Sequence, residues 1–390
     1  MYLDSDDEKI LAGEYGETRR KMMEILVALG KVFGADKFVP ITSAQVAGAS
    51  YKTIGKWGLE WLNSLDARVA VPAVLNPIGM PRERWQEMGI PSDFAERQNA
   101  VLDAYRKLGV KLECTCTPYY INRTSYGEHV AWSESSAVSY ANSVIGARTN
   151  REGGPSALAA AIIGKTPNYG LHLWENRMPQ VAFRIEGQET LHAEHYGAIG
   201  YLAGKMAGNR VPFFYGLRPN RDQLKALGAA MAASGAVALY HVEGITPDSR
   251  VLEERGIDLS VLETITITGK EIEAVFEERT VDAVAIGCPH CSEDELEEIA
   301  GLLKGKKVTK PLYIFAARGV AQAHSHLVGT IEASGARVWE DTCIVVSPGM
   351  DHFGTIMVNS GKAFAYVPNM CGAAAVLGST EECIATALGE

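Results

Sequence analysis

Apolar and polar positions follow two rhythms along this chain. Between residues 7 and 32, Met22, Ile25, Leu26, Leu29 and Val32 recur at helical spacing behind Asp4 or Ser5, either of which can cap an N-terminus, so one amphipathic helix is predicted there. The short apolar stretch from Lys37 to Thr42 runs into SAQVAGASYKTIG (43–55), where small residues and Gly48 mark a strand-to-helix turn. Ala67 to Leu75 reads as a buried strand ending at the Asn76-Pro77-Ile78-Gly79 turn. Residues 93–108 read as a helix, and Val110 to Thr115 as another strand entering the Thr117-Pro118 turn. In Gly153-Gly154-Pro155, followed by ALAAAII (157–163), a proline stands where a helix begins.

From Val211 the rhythm becomes regular. Strand patterns at 213–217, 236–242, 264–268, 282–287, 311–317 and 336–341 alternate with helical patterns at 222–233, 270–278, 293–303 and 319–334. Parallel strands need crossover helices, so this alternation predicts an α/β fold of mainly parallel sheets flanked by helices. Residues 212–345 are expected to form one α/β domain, and 1–211 with 346–390 the rest of the core. In such sheets functional groups gather at the carboxyl ends of strands, which is where Cys288 and Cys343 fall.

Composition narrows the function. With 390 residues the chain can bury a sizeable core, and a net charge of -10 argues against nucleic acid, whose phosphates call for a basic surface. No run of 18 apolar residues marks a membrane span, and the opening MYLDSDDEKI lacks the cationic and apolar regions of a signal peptide. Seven cysteines are too few and of the wrong parity for a disulfide framework, and suit a reducing, cytoplasmic setting.

Candidate chemistry centres on those cysteines. Cys116, Cys288, Cys343 and Cys371 each lie within five residues of a Pro or Gly, on turns rigid enough to hold an iron-sulfur cluster. Cys114 and Cys116 form C-x-C, and Cys288 and Cys291 form C-x-x-C, so a four-thiolate zinc site competes and the residues alone leave both open. Cys383 reads as core. Gly164-Lys165-Thr166 lacks the earlier glycine of a P-loop, and no G-x-G-x-x-G occurs. His192-Ala193-Glu194-His195 has the wrong spacing for a metalloprotease helix, and His324 and His326 read as structural or supporting groups.

Anion binding is the second theme. In the turn from Asn150 to Ser156, backbone N–H groups and the Arg151 guanidinium can meet a carboxylate or phosphate; a glycine-proline helix entry with a surface arginine accounts for the same residues. Gly48, Ala49 and Ser50, and the Asn76-Pro77 turn, offer close backbone approach with hydroxyl or amide donors. Lys362, after Asn359-Ser360-Gly361, could hold an anion, although composition alone favours an exposed hairpin turn.

Taken in order, ITSAQVAGASYKTIG (41–55), CTPYY (116–120), GARTNREGGPSALAAAIIGKTPNYG (146–170), GCPHCS (287–292), EDTCIVV (340–346) and NSGKAFAYVPNMCG (359–372) resemble the aconitase X family, specifically its separate large chain, over nearly the whole length. The resemblance implies an aconitase-like multi-domain architecture and a dehydratase with an iron-sulfur cluster, [4Fe-4S], held by three cysteines. Three ligands leave one iron open to a departing hydroxyl. Carried over, Cys343 and Cys371 match the family's late cysteines. The third ligand is Cys116 or Cys288, with Cys116 favoured and the other in a supporting role.

It further implies a partner: a small subunit with a swivelling domain, which carries the serine base and completes the active site. Within the family the substrate is either mevalonate 5-phosphate, in an isoprenoid route, or cis-3-hydroxy-L-proline. A separate large chain points to the first. Gly48, Ala49, Ser50 or Arg151 would hold one charged end and Lys362 the other. From a different class, a zinc-stabilised, non-catalytic metabolite-binding protein on the same frame remains the alternative.

Overall fold

The structure, a computed structural model, describes residues 1–187, 190–277 and 279–390. Among them lie three parallel sheets covered by helices and one small antiparallel pair, Phe38–Pro40 with Lys165–Pro167. A three-stranded sheet has Ala44–Val46 between Ala73–Leu75 and Ala131–Trp132. A four-stranded sheet runs His241–Val242, Pro212–Phe214, Val181–Glu186, Thr264–Thr268. The five-stranded sheet runs Arg337–Glu340, Leu312–Ala316, Ala283–Cys291, Thr355–Val358, Ala374–Leu377.

The predicted α/β class holds, for the reason the pattern gave. Strands buried on both faces read as continuous apolar runs, and Ala44–Val46, Ala73–Leu75 and Ala283–Cys291 are buried at every position. The helix at Gly154–Ile163 is buried from Ser156 to Ile163 and has its proline in the first turn. No helix among the described residues is long and apolar enough to cross a membrane.

Four local expectations are corrected. The helix over 7–32 is two helices, Ser5–Leu11 and Glu17–Val32, because Gly13 and Gly16 take φ of 84° and 95°, which no helix contains. Asp4 caps the first, accepting from the Asp6 and Asp7 amides. Val110 to Thr115 is no ladder strand: it meets Leu75 through an isolated parallel bridge at Cys114. The helix over 319–334 breaks at His324, whose φ of -114° and ψ of 38° leave the helical region between Arg318–Ala323 and Ser325–Ala333. The helix expected over 270–278 ends at Glu273, and residue 278 lies outside the described residues.

Candidate active site

The carboxyl edges of the three-stranded and five-stranded sheets deliver their following loops to one cavity of about 200 Å³. From the smaller sheet come Ala47, after Ala44–Val46; Asn76 and Pro77, after Ala73–Leu75; and Ser133, Glu134 and Ser135, after Ala131–Trp132. The larger sheet contributes Cys288 from Ala283–Cys291, Cys343 beyond Arg337–Glu340, and Lys362 from the first turn of the helix Gly361–Met370. Cys116 and Arg151 complete the polar wall.

Backbone bonds join the two sides and tie the Cys116 segment to the smaller sheet. The Ile78 amide donates to the Asp341 carbonyl at 2.8 Å, and the Thr115 amide to the Leu75 carbonyl at 2.8 Å. Buried Gln45 donates from Nε2 to the Thr115 carbonyl at 2.7 Å and accepts the Glu134 amide at 3.2 Å, so one side chain aligns the Cys116 and Glu134 loops. Asp341 stands at φ 66°, unusual for a non-glycine residue, and its buried carboxylate is gripped by Arg82 at 2.7 Å and by Arg318 at 3.0 Å. That grip fixes the turn presenting Cys343.

Lys362 is 4 % exposed. Its ammonium donates to Glu134 Oε1 at 2.6 Å and to Ser136 Oγ at 3.0 Å, and Asn76 Nδ2 donates to Glu134 Oε2 at 2.8 Å. An ammonium has three N–H donors, so one remains for a guest. Asn76 Oδ1 and Ser133 Oγ are buried with no hydrogen-bond partner. Burial pushes the Glu134 carboxyl up, but the Lys362 charge and hydrogen bond outweigh it and hold it below 4.5. Burial likewise opposes the Lys362 charge, yet Glu134 and the neighbouring thiols hold its value well above 10.5. The pair is therefore ionic at neutral pH.

Burial pushes the Cys116, Cys288 and Cys343 thiols up to about 12 each, against the pull of Lys362. Thiols so placed become thiolates only when a cationic centre joins them. Burial also takes His290, whose backbone N–H donates to Cys116 Sγ at 3.1 Å, down to about 4. Among the described residues, no group of three or more His, Cys, Asp or Glu side chains is arranged to hold a single metal ion.

The sequence-level candidates divide. Asn76, Pro77, Arg151, Lys362, Cys116, Cys288 and Cys343 line the cavity. Cys371 does not: at the end of Gly361–Met370, it donates from Sγ to the Ile344 carbonyl at 3.3 Å, behind the Cys343 turn. Gly48, Ala49 and Ser50 stand just behind Ala47. A side chain at Gly154 would come within 2.6 Å of the Ala47 oxygen, so the two glycine-rich turns touch. The Ala49 carbonyl accepts from Gln98, and Ser50 Oγ is buried without a partner. Asn150 is occupied elsewhere, donating to the Tyr169 carbonyl and accepting the Leu171 amide.

The hairpin reading of residues 359–362 is corrected. Ser360 caps a helix, accepting the Ala363 amide, and Lys362 points inward to its carboxylate. Glu134, Ser133, Ser135 and Tyr366 were missed altogether. Their one signal was Trp132-Ser-Glu-Ser-Ser136, a polar run directly after a short apolar stretch, which is how a strand end at a site reads. Cys114 and Cys291 do not line the cavity, and among the described residues the paired zinc spacing gathers no set of side chains around a metal ion.

Family models agree with this architecture: the aconitase X first domain matches residues 1–175, the second 179–277 and the third 281–389. The chain belongs to the aconitase X family. Among its relatives in that family, the phosphomevalonate dehydratase large subunit of Methanosarcina mazei is 54% identical over 100% of this chain and 98% of its own length. The cis-3-hydroxy-L-proline dehydratase of Pseudomonas aeruginosa is 34% identical over 99% of this chain but only 70% of its own length. The crystal structure of Thermococcus kodakaraensis aconitase X in its holo-form superposes with a TM-score of 0.90 at 46% identity, covering 99% of this chain and 100% of that one.

Proposed function

We propose that this chain is the large subunit of a cytoplasmic hydro-lyase that dehydrates (R)-5-phosphomevalonate to trans-anhydromevalonate 5-phosphate, an isoprenoid-pathway step, with a small swivelling-domain subunit completing the active site. The observation that carries this reading is the cavity itself, which combines three thiols, a buried lysine with a spare donor and an arginine in a chain half-identical to phosphomevalonate dehydratase large subunits. Seven free cysteines, all buried, suit a reducing compartment.

The donor set fits an iron-sulfur cluster, [4Fe-4S]. Cys116, Cys288 and Cys343 would hold it, and Cys371 would brace the Cys343 turn through the Ile344 carbonyl. When bound, such a cluster supplies Lewis-acid iron with an open position for a departing hydroxyl.

The chain's own residues would bind and orient. Lys362 offers its third N–H, and Arg151 makes no ion pair among the described residues, so two cations face one cavity. Two cations suit a substrate with a carboxylate at one end and a phosphate at the other. An imino acid carries one carboxylate and a positive nitrogen, for which the second cation is a cost. The orphaned Asn76 Oδ1 and Ser133 Oγ can bond the substrate's hydroxyls. Glu134 is a poor proton acceptor because Lys362 and Asn76 already hold its oxygens, in keeping with a base supplied by the partner. Holding both ends of the substrate aligns the C2 proton and C3 hydroxyl for elimination.

The test is an anaerobic dehydration assay of this chain co-produced with its small partner, offering both substrates separately. Turnover of 5-phosphomevalonate alone is expected. Turnover of cis-3-hydroxy-L-proline alone would remove the two-cation argument and the assignment with it.

A further inference from the structure

Behind the thiols of the cavity wall stands a completely buried side chain to which no task has been given, the imidazole of His290. It follows Cys288 by two residues and touches both other thiol-bearing segments. Its Nε2 lies 2.8 Å from the carbonyl oxygen of Thr342, the residue before Cys343. Its Nδ1 lies 3.0 Å from Oγ1 of Thr115, the residue before Cys116. A carbonyl can only accept, so Nε2 carries the proton and, in the neutral ring, Nδ1 accepts from the Thr115 hydroxyl. Thr115 Oγ1 in turn accepts the Thr117 amide at 3.0 Å, clasping Cys116 from its other side. One ring thus ties together segments 175 and 52 positions away in sequence.

We propose that His290 is a positioning residue for the cluster: by bonding Thr115 and Thr342 it fixes the separations of Cys116, Cys288 and Cys343 before the cluster arrives. The inference rests on the reading that those three thiols hold one. A cluster with only three protein ligands depends heavily on their alignment, because each released thiol removes a third of its anchorage. Groups that orient metal ligands commonly change metal retention by roughly 10–100-fold when removed.

A buried histidine can also be plain core, and the chain supplies its own control. His241 is just as buried and bonds the Arg177 carbonyl through Nε2 at 2.8 Å, but that bond reaches none of the three thiol-bearing segments. The experiment compares wild type, His290→Leu, His290→Gln, Thr115→Val and His241→Leu, each co-produced with the small subunit and reconstituted anaerobically. Iron and sulfide per chain, the electron paramagnetic resonance spectrum after reduction, and the rate of bleaching by an iron chelator are measured, with melting of the cluster-free protein alongside.

His290→Leu and Thr115→Val are expected to bleach roughly 10-fold faster or more and to shift the spectrum, while His241→Leu bleaches at the wild-type rate even if it melts lower. His290→Gln, whose amide can still reach the Thr342 carbonyl, should recover part of the retention. Should His290→Leu fail to fold, Thr115→Val, which removes a single hydroxyl link, decides the matter. Wild-type rates and spectra in Thr115→Val and the folded His290 variants overturn the proposal, as does equally fast bleaching in His241→Leu. A wild type that takes up neither iron nor sulfide sinks the cluster reading as well, and is thereby told apart from a failure of His290 alone.

Discussion

Arg177 and Lys362 are both buried cations paired with a buried carboxylate, and they differ in what is left over. Every nitrogen of the Arg177 guanidinium is engaged: Nε with Asp248 Oδ2 at 2.7 Å, Nη1 with Asn142 Oδ1 at 2.9 Å, and Nη2 with the Asn142 carbonyl at 2.8 Å. Arg148 shares the same Asp248 at 3.0 Å, so two guanidinium groups enclose one carboxylate, and none of the three side chains lines the cavity that Lys362 faces. Lys362 keeps a donor in reserve, faces a cavity, and has the unpartnered Asn76 Oδ1 and Ser133 Oγ for company. A saturated buried pair holds segments together; an unsaturated one beside a cavity is ready for a ligand. Burial alone does not separate scaffold from site, and neither do unmade hydrogen bonds alone, since Trp339 Nε1 and His241 Nδ1 are unpaired away from the cavity; the two together at a cavity wall do.

Removing each carboxylate or cation should therefore break different things. Asp248→Asn leaves two buried guanidinium groups facing an amide. Breaking a buried pair in this way typically costs about 3–5 kcal/mol, so urea unfolding should shift by that amount while activity per folded molecule stays near wild type. Lost turnover at unchanged stability would place Asp248 in the chemistry and collapse the contrast.

Lys362→Met is the converse case. Loss of a preorganised charge aimed at the substrate is expected to lower kcat/KM by roughly 100- to 1,000-fold, equivalent to about 2.7–4 kcal/mol, with the iron and sulfide content retained. A variant with wild-type kcat/KM would show that the spare N–H meets nothing.

The sequence carried part of this contrast and not the rest, for reasons of reach. Strand alternation and turn residues are local signals, so the α/β class, the turn at Gly48, the proline helix entry and the placing of Cys343 just beyond a strand could all be read directly, whereas Cys288, expected after its strand, lies inside it because that strand runs on to Cys291. Lys362 was noticed, but its setting was not, because what turns an exposed-looking lysine inward is Glu134, 228 positions away. Glu134 itself gave only a polar run after a two-residue strand. Cys371 looked equivalent to Cys343 by its turn; only the path of the helix Gly361–Met370, which carries it behind the Cys343 loop, separates them. His290 was hidden the same way, since its partners lie on two other segments.

The smallest expected effect is also the most diagnostic, and it concerns pH. Glu134 is held below its ordinary 4.5, so its contribution to stability is fully present above that value and is lost only as pH falls through its lower folded value. Lys362 is held above 10.5, so its contribution is fully present below 10.5 and is lost as pH rises through its higher folded value. Between pH 5 and 10 the pair should then contribute a constant amount, measured as the difference in unfolding free energy between wild type and a Glu134→Gln, Lys362→Met double variant. Any limb of the activity profile inside that window must belong to another group. With Glu134 locked as an ion, a limb unchanged in Glu134→Gln, whatever its height, would point to a proton acceptor outside the pair, as a base on the small subunit requires. A limb that moves with Glu134→Gln would mean the carboxylate exchanges protons during turnover. The cavity's ion pair would then be a catalytic couple rather than a fixed clamp.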